Sequence, residues 1–280
     1  MPPRVAVIVF PGNNCELETA RAVENAGMSA ELFRWNRDAK ELDQFDGFVV
    51  GGGFAYQDRV RSGAIAAKEP IMDGLARAAE AGKPILGICN GAQILVEAAL
   101  VPAVRGSDSL DMALAPNRMV KNGHVVREGY FTDWRNLKNL APPGRCAFNL
   151  DIPEGELLPM PFAHAEGRFT TADAKVREAL VSGRHVVFAY ATPSGEVHEE
   201  FPDCPNGSIF AAAAVCNVPG NVLAIMPHPE RADTLKHVPS SFPGPYGLAR
   251  RRAFGDPDAL NRPGPGRRLF DSMRKFLREN

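Results

Sequence analysis

The stretch "KPILGICNGAQILVEAAL" sets Cys89 between two glycines. Gly87-Ile88-Cys89-Asn90-Gly91 has the G-x-nucleophile-x-G form of a nucleophile elbow, with sulfur in place of a hydroxyl. Flanking glycines allow a tight turn that lifts the side chain above a sheet. Pro84, Ile85, Leu86 and Ile88 read as a short buried strand. From Ala92 on, Ile94, Leu95, Ala98 and Ala99 recur at helical spacing, so Cys89 falls in the turn between the two elements. A thiol at a helix start sits at the positive end of the helix dipole, which favours thiolate. The backbone N–H of Asn90 would then point toward an oxyanion forming beside the sulfur. The same residues also fit a buried cysteine in a glycine-rich turn, a common place for free thiols.

A cysteine nucleophile needs a base, and the base needs an orienting group. Of the six histidines, His228 in "LAIMPHPER" follows an apolar run at a strand end. Glu230 lies two residues on, and in extended chain positions i and i+2 share a side, so the carboxylate can accept the imidazole N–H. Pro227 and Pro229 fix their own φ and bias His228 toward extended geometry. The alternative is a surface histidine in a proline-rich turn. A second oxyanion donor is expected from "VVGGGFAYQD", where Gly52 and Gly53 let the backbone before Phe54 approach a substrate and turn an N–H inward. That segment could also be a plain turn or a phosphate loop. However, no G-x-x-x-x-G-K-[ST] occurs, and the glycines do not match a dinucleotide fingerprint.

The elements that must position these groups read as α/β. "RVAVIVF" is a continuous apolar run, as in a strand buried on both faces of a parallel sheet. "CELETARAVENAG" is an amphipathic helix ending at Gly27, "AELFRW" and "FDGFVVGGG" are strands, and "GAIAAKEPIMDGLARAAEAGK" is a helix kinked near Pro70. This alternation predicts a doubly wound, mostly parallel sheet with flanking helices, whose ligands sit at the carboxyl ends of the strands. Residues 101–160 are less regular, with "NGHVVREGYFTDW" read as extended chain and "LAPPGR" as a turn. "HVVFAYA", "SIFAAAAVC" and "NVLAIMPHPE" read as strands with hairpin-like turns at "PSGE" and "PNGS", and a helix is expected from about Thr170 to Val181. Residues 238–267, rich in Pro, Gly and Arg, read as a long surface loop before a C-terminal helix over 268–280. With no repeat and no clear linker, one domain over 1–280 is expected.

Composition excludes several classes. The 280 residues carry a formal net charge of -1, which gives no overall pull toward nucleic acid or a membrane surface. No apolar run approaches the roughly 18 residues that span a bilayer. The N-terminal apolar run ends at Pro11, short for a signal peptide. Five scattered cysteines form no CxxC pair and no zinc spacing, and an odd count argues against a secreted disulfide framework. The reading is a cytoplasmic protein with no metal site. Cys15, Cys146, Cys204 and Cys216 are assigned to packing, and His124, His185, His198 and His237 to surface or core roles.

"GICNGAQ", "PHPE" and the glycine loop resemble the class I (triad) glutamine amidotransferases in kind and in chain order. The closer resemblance is to the family of glutaminase subunits of phosphoribosylformylglycinamidine synthase, from purine biosynthesis. It rests on "VFPGNNCELETA", "GGGFAYQD", "GAIAAKEPI", "GKPILGICNGAQIL", "FAHAEGRF", "PNGS" and "MPHPER". The resemblance implies a flavodoxin-like sheet with additional hairpins, and a division of labour. Cys89 attacks the side-chain amide of glutamine, His228 serves as acid and base, and Glu230 orients it. Gly53 and Asn90 donate to the oxyanion, and Gln93 helps hold the substrate. Ammonia passes to a larger synthetase subunit that carries ATP and Mg²⁺, so this chain needs no cofactor of its own; a third, small subunit stays open. His164-Ala165-Glu166-Gly167-Arg168 matches the family's His-Gly-Glu-Gly-Arg with Ala165 for a glycine. It could shape the glutamine pocket or a partner face, and equally be a strand-end turn tied by an ion pair. Gly51 stands where proline is usual and Gln57 where glycine is usual, which puts the flexibility of that loop in question.

Two other classes compete. A different cysteine hydrolase on a similar sheet would need the elbow but not "PHPER" together with "HAEGR". A docking subunit without activity would not need the nucleophile, base and orienting group together.

Overall fold

The computed structural model describes residues 1–106 and 109–280. "RVAVIV" forms β1 (Arg4–Val9), with Val5 to Ile8 fully buried. α1 (Glu16–Asn25) follows, burying Ala22 and Val23 and placing Glu16 and Glu18 in its first turn, where the helix dipole favours acidic groups. Next come β2 (Ser29–Arg34) and β3 (Gly47–Val50). The helix expected around Pro70 is two pieces, a 3-10 turn at Ala66–Lys68 and α2 (Ile71–Glu80). Proline has no N–H to continue the first piece, so the chain breaks there and restarts. β4 (Ile85–Ile88) and α3 (Asn90–Glu97) flank Cys89.

The middle of the chain is more regular than its sequence suggests. It holds β5 (Ala113–Ala115), β6 (Arg118–Lys121), β7 (His124–Glu128), β8 (Phe131–Asn139), β9 (Leu157–His164) and β10 (Arg168–Thr170). Of the stretch 101–160, residues 107 and 108 lie outside the described residues. α4 (Ala174–Ser182) starts at Ala174 rather than near Thr170, because Arg168–Thr170 pairs with β5. Asp173 then caps the helix by accepting from the N–H groups of Lys175 and Val176. β11 (Val186–Ala191), β12 (Ala212–Cys216) and β13 (Val222–Ile225) follow where strands were expected.

These strands build a nine-stranded sheet in the order β2-β1-β3-β4-β13-β12-β11-β8-β9. From β2 to β13 every pairing is parallel, which is the doubly wound half. From β13 to β9 every pairing is antiparallel. The sheet is thus mixed rather than mostly parallel. β12 and β13 are joined by a turn too short for a crossover, so the chain can only return antiparallel.

Residues 238–267 are not one long loop. They contain α5 (Pro245–Arg252) and α6 (Pro257–Leu260), each opening with its proline. Proline's fixed φ suits the first helical position, so residues that read as loop markers are helix starts here. The last helix, α7 (Arg267–Glu279), buries Leu269, Phe270 and Met273. Its Arg267 is nearly buried and bonds Asp233 at 2.5 Å and the Asn25 carbonyl at 2.6 Å. That contact ties the C-terminus to the loop after β13.

The turns after β1, β3, β4 and β13 all emerge at the carboxyl edge of the parallel half. They carry, in order, Cys15, Gly52–Gly53, Cys89 and His228.

Candidate active site

Cys89 takes φ 51° and ψ −105°, left-handed backbone that costs a non-glycine residue. The turn is held from both sides. Cys89 N–H donates to the Ile225 carbonyl at 2.8 Å, and the Cys89 carbonyl accepts from Gln93 N–H at 3.1 Å. Gly91 is needed because a Cβ there would lie 1.9 Å from the Val50 carbonyl oxygen. The elbow is therefore wedged directly against β3, and Cys89 is only 7% exposed.

His228 is fixed by its own N–H, which donates to the Pro161 carbonyl at 2.8 Å. Its Nδ1 lies 2.6 Å from Glu230 Oε1, with both side chains buried. Glu230 is not on extended chain as expected: Pro229 opens a 3-10 turn at Pro229–Ala232, and His228 is the extended residue before it. The turn still swings the carboxylate back onto Nδ1, which leaves Nε2 for the sulfurs. Burial pushes the imidazolium down. The Glu230 carboxylate outweighs it, with help from Cys89 and Cys15, and holds His228 well above the ordinary histidine range.

In the glycine loop, the Gly52 carbonyl accepts from Asn13 Nδ2 at 3.2 Å. A trans peptide sends the Gly53 N–H to the opposite side. Gly53 itself has φ 136°, and a Cβ there would meet Asn13 Cα at 2.6 Å. The Phe54 N–H donates to the Gly12 carbonyl at 3.0 Å and so is not free, while the Phe54 ring is exposed. Gln57, at the position where the family resemblance has glycine, adopts φ 60° between Tyr56 at 54° and Asp58 at 52°.

One cavity of about 190 Å³ collects these groups. Gly53, Phe54, Cys89, Gln93, His164, Glu166 and His228 line it, with Gly52, Asn90 and Glu230 packed behind. Both ends of the Gln93 amide are already engaged. Its Oε1 accepts from Asn90 Nδ2 at 2.9 Å, and its Nε2 donates to the Glu166 carbonyl at 2.7 Å. Gln93 thereby ties α3 to the "HAEGR" turn. Glu166 Oε2 accepts from the Ser62 N–H at 3.1 Å, and Gly167 packs flat on the His164 ring. Arg168 is not in the cavity; it runs along β10 and donates to the Pro116 carbonyl at 2.9 Å. No ion pair closes that turn on itself among the described residues.

Sequence reasoning missed Cys15, Asp58, Tyr130 and Arg231, which also line the cavity. Cys15, a packing residue by its sequence, is buried, but its sulfur accepts from Arg231 Nη2 at 3.0 Å. Its place just past the end of β1 was the available signal, since ligand groups gather at strand carboxyl ends. Cys15, His228 and Glu230 also present ligand atoms within 4.8 Å of one another. A cation there would face the Arg231 guanidinium and compete with the short His228–Glu230 bond. The set does not favour a metal.

The CobB/CobQ-like glutamine amidotransferase domain matches residues 2–277 of the chain. A phosphoribosylformylglycinamidine synthase subunit PurQ from Methanothrix thermoacetophila is 46% identical over 276 residues, covering 99% of this chain and 98% of the relative. The chain belongs to the PurQ family. A PurQ from Pyrococcus furiosus is 42% identical over 230 residues, 82% of this chain and 89% of its own. A chain in the structure of PurLQS from Thermotoga maritima superposes with a TM-score of 0.70 at 29% identity, covering 99% of this chain and all of that one. No helix among the described residues is long and apolar enough to cross a membrane.

Proposed function

We propose that this chain is a single glutamine amidotransferase domain that hydrolyses glutamine to glutamate and ammonia. It supplies the ammonia to a synthetase subunit that converts formylglycinamide ribonucleotide to formylglycinamidine ribonucleotide. The observation that carries the reading is the meeting of a thiol on strained backbone with a buried imidazole whose far nitrogen is held by a carboxylate.

Cys89 Sγ adds to the side-chain carbonyl carbon of glutamine, and its proton passes to His228. The oxygen takes negative charge, and the N–H groups of Gly53 and Asn90 donate to it. His228 returns the proton to the nitrogen, the C–N bond breaks, and ammonia leaves behind a glutamyl thioester. Water, activated by His228, then attacks the thioester, and glutamate departs as the thiol is restored. Glu230 keeps the proton of Nδ1 in place and stabilises the imidazolium between these steps. Gln93 and Glu166 hold the cavity wall in shape. The likeness to a chain of the PurLQS structure supports assembly with partner subunits. The reading puts ATP and Mg²⁺ on a larger synthetase subunit and leaves room for a small accessory one. The reading places the complex in the cytoplasm.

Glutamate release by the intact protein and by Cys89→Ala, each with and without the synthetase subunit, tests it. Weak release alone, strong stimulation by the partner and none from the variant are expected. Undiminished hydrolysis by Cys89→Ala eliminates Cys89 as nucleophile, and hydrolysis confined to an ester favours a different hydrolase.

A further inference from the structure

Cys15 takes no part in the reaction just described, yet it stands beside the same imidazole as Cys89. The point a Gly52 Cβ would occupy lies 3.1 Å from Cys15 Sγ, 3.0 Å from His228 Cε1 and 3.5 Å from Cys89 Cβ. Glycine at 52 thus leaves a gap on which two thiols and the imidazole converge. Both cysteines line the substrate cavity; Cys146, Cys204 and Cys216 are buried away from it.

The surroundings of Cys15 suit a thiol that waits for an electrophile. Its S–H contacts Asn14 Oδ1 at 3.3 Å, and Arg231 Nη2 donates to the sulfur at 3.0 Å. Burial pushes the Cys15 thiol up, against the pull of His228 and Arg231, so it rests protonated and leaves the glutamine chemistry to Cys89. Once its proton leaves, the guanidinium is in place to hold the negative sulfur.

We propose that Cys15 is the resolving thiol for oxidation of Cys89, closing a reversible Cys15–Cys89 disulfide across the gap at Gly52. The oxidant is a hydroperoxide. Cys89 sulfur attacks the terminal OH oxygen of the peroxide, the O–O bond breaks, the other oxygen leaves as hydroxide or alkoxide and takes up the Cys89 proton, and the sulfur, oxidised by two electrons, becomes a sulfenic acid. Cys15 sulfur then attacks that of Cys89, the S–O bond breaks, and the hydroxyl leaves as water with the Cys15 proton, for which His228 is the adjacent carrier. Both side chains must rotate into the gap to reach bonding distance. The disulfide removes the nucleophile and shields it from further oxidation until a thiol reductant restores both sulfurs. This rests on Cys89 being the nucleophile.

The full chain, assayed with its synthetase partner, is treated with hydrogen peroxide and mapped by mass spectrometry without reduction. A linked Cys15–Cys89 peptide is expected, with glutaminase activity falling about tenfold or more and returning to within about twofold of the untreated rate after dithiothreitol. In Cys15→Ala and Cys15→Ser, each compared with its own untreated rate, activity does not return, and Cys89 carries two added oxygens as sulfinic acid. The proposal is overturned if the untreated-active wild type yields Cys89 sulfinic acid with no linked peptide, or if the Cys15 variants recover as fully as wild type. Full activity in Cys89→Ala would instead sink the underlying assignment of the nucleophile. Peptide mapping of the wild type decides the matter even if the variants fold poorly.

Discussion

Glu230 Oε1 accepts from His228 Nδ1 at 2.6 Å, and the carboxylate side chain has no solvent exposure. A bond this short and dry fixes the ring plane and the tautomer together. Glu230→Gln keeps the shape but removes the charge that favours imidazolium. Glutaminase kcat should fall by about 10²- to 10⁴-fold with KM little changed, measured as glutamate release in the presence of the synthetase subunit. A variant within a factor of a few of wild type would show that His228 is oriented by something else.

Gly91 carries a packing constraint independent of chemistry. A methyl group at this position would sit 1.9 Å from the Val50 carbonyl oxygen and 3.2 Å from that of Gly51. Neither backbone can withdraw without shifting β3, so Gly91→Ala should cost about 1–3 kcal/mol or more. The urea midpoint of the purified variant would report it, and an unchanged midpoint would mean that the elbow is looser than drawn.

His164 gives the stability a pH dependence. Burial, then the neighbouring His228, push its imidazolium down to about 3. Asn117 Oδ1, whose amide nitrogen donates to the His164 and Gly129 carbonyls, engages Nδ1, while Nε2 is buried without a partner. A second proton therefore has no acceptor in the folded state. The unfolded chain takes that proton below its ordinary value near 6.5, so it binds more protons than the native state from there down to about 3. Stability from this group is complete above about 6.5 and falls with pH, by at most about 1.4 kcal/mol per unit. Urea midpoints of wild type and His164→Gln between pH 7 and 5 should show a shallower slope for the variant. His185, also pushed down by burial and by Arg145, contributes a slope of the same sign, and His228, held up by Glu230, one of the opposite sign; both are common to wild type and variant, so the comparison isolates His164.

Gln57 is exposed and has φ 60°. Left-handed backbone costs a side-chain-bearing residue about 1–2 kcal/mol, and glycine gives back roughly 0.5–1 through the freedom of the unfolded chain. The difference favours Gln57→Gly by about 0.5–1 kcal/mol, read as a higher urea midpoint. A lower midpoint would mean that the Gln57 contact to Arg59 Nη2, 3.0 Å long, outweighs the strain.

Much of the parallel half was legible in the chain, because its strands are continuous apolar runs and its helices keep a clear period. The elbow was legible for a related reason: Gly87 and Gly91 mark the two places where backbone must pass close to backbone. Helices α5 and α6 were hidden by the residues that start them, since Pro245 and Pro257 look the same in a loop as at a first helical position. The antiparallel extension was hidden because pairing partners such as β8 and β11 lie far apart in sequence.

The sequence by itself determined the nucleophile turn, the base with its carboxylate neighbour, and the strand–helix alternation that brings both to one sheet edge. Those are local properties, set by glycine and proline geometry and by side-chain periodicity. Only the tertiary structure decided that Cys15 stands between His228 and Arg231, that Gln93 is tied to the Glu166 carbonyl, and that Arg168 turns away. Such contacts join segments up to 216 residues apart, as between Arg231 and Cys15, and no local pattern encodes which of several buried side chains will meet.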